Sequence, residues 1–112
     1  MRVSGGYVVV NDKMEIVCVS SYACEVIGQY KDRILGESPL LYIPKDKHES
    51  IESIFLRRLL GDKSIPNIYN TVILKKTKTK VACMVRHHLT CADGKGNKYV
   101  IVQLAEQTKL LI

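Results

Sequence analysis

The stretch from residue 81 to residue 104 reads VACMVRHHLTCADGKGNKYVIVQL, and it decides the fold class. Two runs rich in β-branched and apolar residues, 81–89 and 99–104, flank the segment 93–97. That segment is dense in Asp, Gly and Asn, which favour the tight turns of hairpins. Another strand-like run, 69–74, comes before it across a lysine-rich turn. The C-terminal half therefore predicts three consecutive antiparallel strands.

Upstream of these strands the sequence predicts a second hairpin and short helices. Asn11 begins a turn between two β-rich runs. Ser20 or Ser21 then offers an N-cap for a helix, which Gly28 ends, and Gly36 ends the next helical turn. The predicted elements are strands at residues 7–10 and 15–19 and helical segments at residues 22–27 and 31–35.

One longer helix is predicted between the two groups of strands. It begins near Asp46, and its apolar residues recur at helical spacing up to Leu59, with Gly61 just after the last turn. Strands and helices are thus segregated along the chain, which is typical of an α+β fold with an antiparallel sheet. We expect a five-stranded antiparallel sheet, with the short helices and the longer helix packed on one face.

Composition limits what the chain can be. Its 112 residues suit one domain, and 46% hydrophobic with 25% charged residues is the average of a soluble globular protein. Apolar runs fall far short of the roughly 18 residues that a membrane span needs. No close cysteine pairs suggest a zinc site, so the four cysteines are expected to be reduced, mostly buried and cytoplasmic.

The net charge of +6 raises the alternative of a nucleic-acid binder. Much of the excess lies in the turn that holds Lys75, Lys76, Lys78 and Lys80. No aromatic residue is interleaved there to stack on a base, which favours a solvated hairpin tip. We therefore expect no nucleic-acid partner.

The ordered set of these features resembles the PAS domain family over nearly the whole chain, from Gly6 to Thr108. Ser20 and Ser21 depart from the family, since they stand where Asn and Pro are common. The residues that carry the resemblance are the strand Gly6–Asn11, the strand Ile16–Val19, the stretch from Ser20 to Gly28, Gly36, Pro44, Asp46 and the closing Glu106-Gln107-Thr108.

The resemblance implies a sensory or interaction module of a larger signalling protein, such as a histidine kinase of a two-component system or a transcription regulator. Residues 1–112 would be a single PAS-like domain excised from that protein. Residues 106–112 would start a signalling helix, and Glu106, Gln107 and Thr108 would carry the signal out. No catalytic constellation is visible, so any enzymatic output would lie elsewhere.

The resemblance also bears on cofactors. The reactive cysteine of light-sensing members would fall on Pro39, which cannot attack a flavin. The axial histidine of oxygen-sensing members would fall on Ile51. His48, three residues earlier, could substitute for it, which leaves a haem sensor as an alternative, but His48 is expected to face water. We therefore predict neither flavin nor haem nor another metal, but a small colourless ligand or none.

Strand parity predicts which residues reach a pocket between sheet and helices. On the middle strand the more apolar set is Val81, Cys83, Val85, His87 and Leu89; on the last it is Val100, Val102 and Leu104. His87 is either a core histidine bonded to a carbonyl or a tyrosine, or a group that binds a polar or anionic ligand. The pocket candidates are Tyr42, Ile51, Ile54, Phe55, Tyr69, Cys83, Val85, His87, Val102 and Leu104.

The opposite face of the sheet is predicted to be partly apolar. Met84, Tyr99 and Ile101 are its candidate interface residues. The resemblance to PAS domains implies that this face meets either a second copy, as in a homodimer, or a flanking helix that covers it. Arg57 and Arg58 on the long helix could reach an anion in the pocket, but they are expected to be solvated. A rival interpretation is a ligand-free interaction module, in which the predicted pocket is filled; the volume of the cavity distinguishes the two.

Overall fold

The computed structural model describes residues 6–64, 68–75, 80–87, 91–92 and 94–106, and its strands form one antiparallel sheet. The order across the sheet is β2-β1-β6-β4-β3, with the short β5 paired to β6. The five-stranded prediction is confirmed, and β5 is an addition too short to leave a pattern in the sequence. The strands are β1 (Gly6–Asn11), β2 (Ile16–Val19), β3 (Ile68–Leu74), β4 (Lys80–His87), β5 (Cys91–Ala92) and β6 (Lys98–Glu106).

The helices lie between the two groups of strands, as expected. Ser20 caps the first by accepting a hydrogen bond from the backbone N–H of Ala23 at 3.3 Å, and Gly28 ends it in a left-handed conformation. The long helix begins at His48 rather than near Asp46, because a 3-10 turn follows Pro44. The helices are α1 (Ser21–Ile27), α2 (Lys31–Ile34) and α3 (His48–Leu59), with 3-10 turns at Pro39–Tyr42 and Lys45–Lys47.

The core lies between one face of the sheet and the helices. Along β4 the residues alternate between exposed and buried, which confirms the predicted parity. At Gly6 a Cβ atom would lie 2.5 Å from the backbone nitrogen of Ala23, so α1 is pressed directly onto β1. In the part of the chain that the structure describes, no helix has the length and apolar character that crossing a membrane requires.

Two expectations are wrong in detail. Glu106 does not start a helix, because β6 continues through it; residues 107–112, where Gln107 and Thr108 stand, lie outside the described residues. Cys18 is exposed on β2, whereas Cys83 is fully buried and Cys24 is half-buried, and all three are free thiols. Glu106 belongs to a strand because the backbone pairing of β6 with β4 extends to Cys83 opposite Glu106.

Candidate functional site

An apolar cavity of about 50 Å³, partly open to the surface, lies between the inner face of the sheet and the helices. The sheet register brings its lining together, since Val85 pairs with Leu104 and Val102 pairs with Val8. Seven of the predicted pocket residues line this cavity: Tyr42, Ile51, Phe55, Tyr69, Val85, Val102 and Leu104.

Three predicted pocket residues are not in the cavity wall. Cys83 is fully buried in the core, and Ile54 faces a groove on the outside of the domain. His87 is also buried, at 3% exposure, but it packs behind Phe55 and Tyr69. Parity places a side chain on a face of the sheet, yet it does not say how near the cavity that side chain lies.

His87 and Tyr69 form a buried polar pair. The hydroxyl oxygen of Tyr69 lies 2.8 Å from Nε2 of His87, and the two rings meet edge to face. The ring of Phe55 lies 4.8 Å from the imidazole, between centroids. Within the described residues, Nδ1 of His87 has no hydrogen-bond partner. The interpretation of His87 as a core histidine bonded to a tyrosine is thus confirmed.

Burial fixes the charge state of this pair. It lowers the pKa of His87 to about 4, and the nearby positive charge of Arg58 acts in the same direction. Burial also raises the pKa of Tyr69, which Arg58 only partly opposes. At neutral pH the pair is therefore an uncharged imidazole and an intact phenol, which can share one hydrogen bond.

Only one of the two arginines of α3 is solvated as expected. Arg58 is not solvated but 8% exposed, because the helix turns it towards the pair of His87 and Tyr69. Arg57 does lie at the surface, where its Nε is 2.8 Å from a carboxylate oxygen of Asp62. Hydrogen bonds from Ser64, with a smaller effect of Arg57, lower the pKa of Asp62 to about 2.

An open groove of about 580 Å³ runs along β3 outside the cavity. Ile51, Tyr69 and Thr71 line both spaces, so these three side chains form the wall between cavity and groove. Ile51 and Tyr69 are among the predicted pocket residues, whereas no pattern in the sequence indicates Thr71. The residues that line the groove are Pro44, Asp46, Lys47, Ser50, Ile51, Ile54, Tyr69, Asn70, Thr71, Val72, Lys80 and Ala82.

The positions that bear on cofactors carry no reactive thiol and no iron ligand. Pro39 begins a 3-10 turn, and Ile51 is buried in the cavity wall. His48 does not face water: it is half-buried, and its Nε2–H donates to the carbonyl oxygen of Ile43 at 2.7 Å. Among the described residues, no three His, Cys, Asp or Glu side chains are grouped to hold a metal ion.

The predicted interface residues lie on the outer face of the sheet. Met84 is 42% exposed, whereas Tyr99 and Ile101 are half-buried. Ile101 is paired across the strands with Val9, and Tyr7 on the same face is 46% exposed. This face is therefore partly apolar and carries no helix of the described part of the chain.

Solved structures share this architecture. A PAS domain of a protein from Desulfitobacterium hafniense is similar with a TM-score of 0.77 and 11% identity, over 94% of each chain. Drosophila melanogaster Cycle PAS-B with bound glycerol is similar with a TM-score of 0.71 and 13% identity, over 91% of this chain and 99% of that one.

The PAS domain of the Cronobacter turicensis RpfR quorum-sensing receptor, in complex with BDSF, is similar with a TM-score of 0.74 and 10% identity, over 96% and 98% of the two chains. No protein-family model and no curated protein matches the sequence. At these identities the likeness is one of fold.

Proposed function

Because the chain has the PAS-domain fold, we propose that it is the sensor module of a signalling protein. Its signal is a small, uncoloured ligand that enters through the wall formed by Ile51, Tyr69 and Thr71. The observation that carries this proposal is that Ile51, Tyr69 and Thr71 line both the apolar cavity and the open groove. Rotation of Tyr69 would join the two spaces.

Size sets the class of ligand. A cavity of about 50 Å³ is far below the roughly 300–1,000 Å³ of most ligand pockets, so haem or flavin would require the core to be rebuilt. A ligand that is small or slender can use the cavity together with the groove. Drosophila melanogaster Cycle PAS-B, which has bound glycerol, is an example of this fold with a small molecule.

Polarity sets the rest of the ligand's chemistry. The cavity wall is apolar apart from Tyr42, Tyr69 and Thr71, whose hydroxyl groups can donate or accept a hydrogen bond. We therefore propose a mostly apolar ligand with one polar end. That end would compete with His87 for the hydroxyl of Tyr69.

The signal would leave through the sheet. His87 is on β4, which pairs with β6, and β6 leads to Glu106 and the following Gln107 and Thr108. A ligand that displaced Tyr69 from His87 would alter the packing of β4 against β6. We propose that the outer face with Met84, Tyr99 and Ile101 passes this change to a second copy or an output domain.

A second candidate function is a ligand-free interaction module. It is favoured by the small cavity and by the hydrogen bond that already joins Tyr69 to His87. In both candidates the domain itself is not catalytic, and its free thiols suit a reducing compartment such as the cytoplasm.

Absorbance and native mass spectrometry of the freshly purified protein test the proposal. We expect no band above the tyrosine absorption and a native mass that exceeds the sequence mass by one small ligand, which denaturation releases. A haem or flavin band would contradict the proposal. A native mass equal to the sequence mass would favour the ligand-free module.

A further inference from the structure

The strand β3 forms one edge of the sheet, and it has the properties of an edge to which another strand can add. β3 spans Ile68–Leu74, reads IYNTVIL, and contains no charged residue and no proline. Its register with β4 runs without a shift along its whole length. Natural edge strands are usually kept short, charged or bulged, since a long and uncharged edge invites another strand.

The opposite edge of the sheet lacks these properties. β2 has only four residues, and the register between β1 and β2 shifts between Val9 and Val10. A short strand beside such an irregularity is a poor template. Of the two edges, β3 is therefore the one built to accept a strand.

The groove lies beside the middle of this edge, where residues 69–72 of β3 line it. It lies between the edge of the sheet and the first half of α3, with Ile54 and Val72 as apolar contacts. A seven-residue strand is about 23 Å long, and an added strand lies about 4.8 Å from its neighbour. Side chains on alternate residues of an added strand would point into the groove.

Charge at the rims indicates what kind of strand would bind. Lys47 stands on one rim and Lys80 on the other, and both are exposed. Asp46 also lines the groove, so the rims are positive on balance rather than uniformly. A second copy of this chain would bring the same lysines and a net charge of +6, which disfavours pairing of two copies at this edge.

We propose that this groove binds an extended, acidic segment of a partner protein, which adds as a strand to the outer edge of β3. Backbone hydrogen bonds to β3 provide affinity, and the lysines at the rims select acidic side chains. This docking site shares the groove from which the ligand is proposed to enter, but strand addition does not require a ligand in the cavity.

An NMR titration tests strand addition. The probe is the acetylated and amidated heptapeptide EVDVTVE, added to the ¹⁵N-labelled chain at low salt. We expect amide shifts along β3 and near Lys80. The same peptide with N-methyl groups on alternate residues keeps its charges but loses backbone donors, and we expect it not to bind.

Charge-reversal variants test selection by the rims. Lys47→Glu combined with Lys80→Glu should weaken binding of the probe by about tenfold. The control is Lys13→Glu combined with Lys63→Glu, which replaces two exposed lysines that do not line the groove. It changes the net charge of the protein by the same amount and should leave the affinity for the probe unchanged.

Three results would overturn the inference. The first is that the N-methylated peptide binds as tightly as the unmodified one, and the second is that the control variant loses as much affinity as the groove variant. The third is that amide shifts of β3 depend on protein concentration without peptide, which would indicate a second copy. None of them bears on whether the cavity binds a small molecule, so this inference and the proposed function can fail separately.

Discussion

The hydroxyl oxygen of Tyr69 lies 2.8 Å from Nε2 of His87, so a side chain in the cavity wall is bonded directly to the middle of the sheet. Tyr69 is on the edge strand β3, and His87 is on β4, opposite Val102 of β6. This hydrogen bond therefore connects the place where a ligand would enter with β4, which pairs with the last described strand, β6.

Loss of this hydrogen bond should cost stability. Tyr69→Phe leaves Nε2 of His87 buried without a partner, and we expect the free energy of unfolding to fall by about 1–2 kcal/mol. Tyr42→Phe is the matched control, because Tyr42 lines the same cavity but its hydroxyl has no hydrogen bond within the described residues. Urea unfolding at pH 7 measures both, and equal losses would contradict this account of the pair.

Stability should fall as the solution is acidified from neutral pH. The pKa of His87 is about 4 in the folded state and 6.5 in its ordinary environment. Between these values the unfolded chain binds a proton that the folded chain does not. The contribution of His87 is therefore fully present above the unfolded value and is lost as pH falls towards 4, by up to about 3 kcal/mol.

His87→Gln provides the comparison for this pH dependence. The variant cannot titrate at this position, so its free energy of unfolding should change less between about pH 7 and pH 4.5. Asp62, whose folded pKa is about 2 and whose ordinary pKa is 3.8, loses its contribution only below this range. Parallel pH profiles for wild type and variant would show that His87 is not held neutral by burial.

The contact between α1 and β1 should not tolerate a methyl group. Gly6→Ala would place a Cβ atom 2.5 Å from the backbone nitrogen of Ala23, so we expect a loss of about 2–3 kcal/mol. Gly94→Ala is the control, since no atom lies within 4 Å of its Cβ position. Thermal unfolding of the two variants checks this, and a near-native melting temperature for Gly6→Ala would contradict the described contact.

The outer face of the sheet should mediate self-association. Met84→Glu places a charge on this face and should convert dimers to monomers in sedimentation velocity at concentrations where the wild type is dimeric. Leu60→Glu adds the same charge at a residue that is 82% exposed on the other side of the sheet, just after α3, and should not. If both variants remain dimeric, or the wild type is monomeric throughout, the proposed interface is wrong.

Much of the fold could be predicted because it depends on local chemistry. Ser20 and Gly28 mark the ends of α1, and the alternation along β4 assigned its buried side chains correctly. The wall of the cavity could not be predicted in this way. It depends on how closely α3 approaches β3, which is a result of packing and leaves no periodic pattern.

The burial of Arg58 shows the same limit. An arginine next to another arginine on an amphipathic helix is usually solvated. Its position against His87 and Tyr69 depends on the rotation of α3 over the sheet. Likewise, parity placed His87 on the inner face, but only the structure shows that Tyr69 stands between His87 and the groove.

The most direct test of the central proposal is a methyl NMR titration with 1-hexanol, a slender apolar probe with one polar end. For the wild type we expect saturable shifts of methyl groups at Ile51, Thr71, Val85 and Val102. Val85→Leu, which fills part of the cavity, should weaken binding, whereas Val17→Leu at an exposed position of β2 should not. Shifts confined to the outer face of the sheet, or equal binding by Val85→Leu, would contradict a ligand site at the Tyr69 wall.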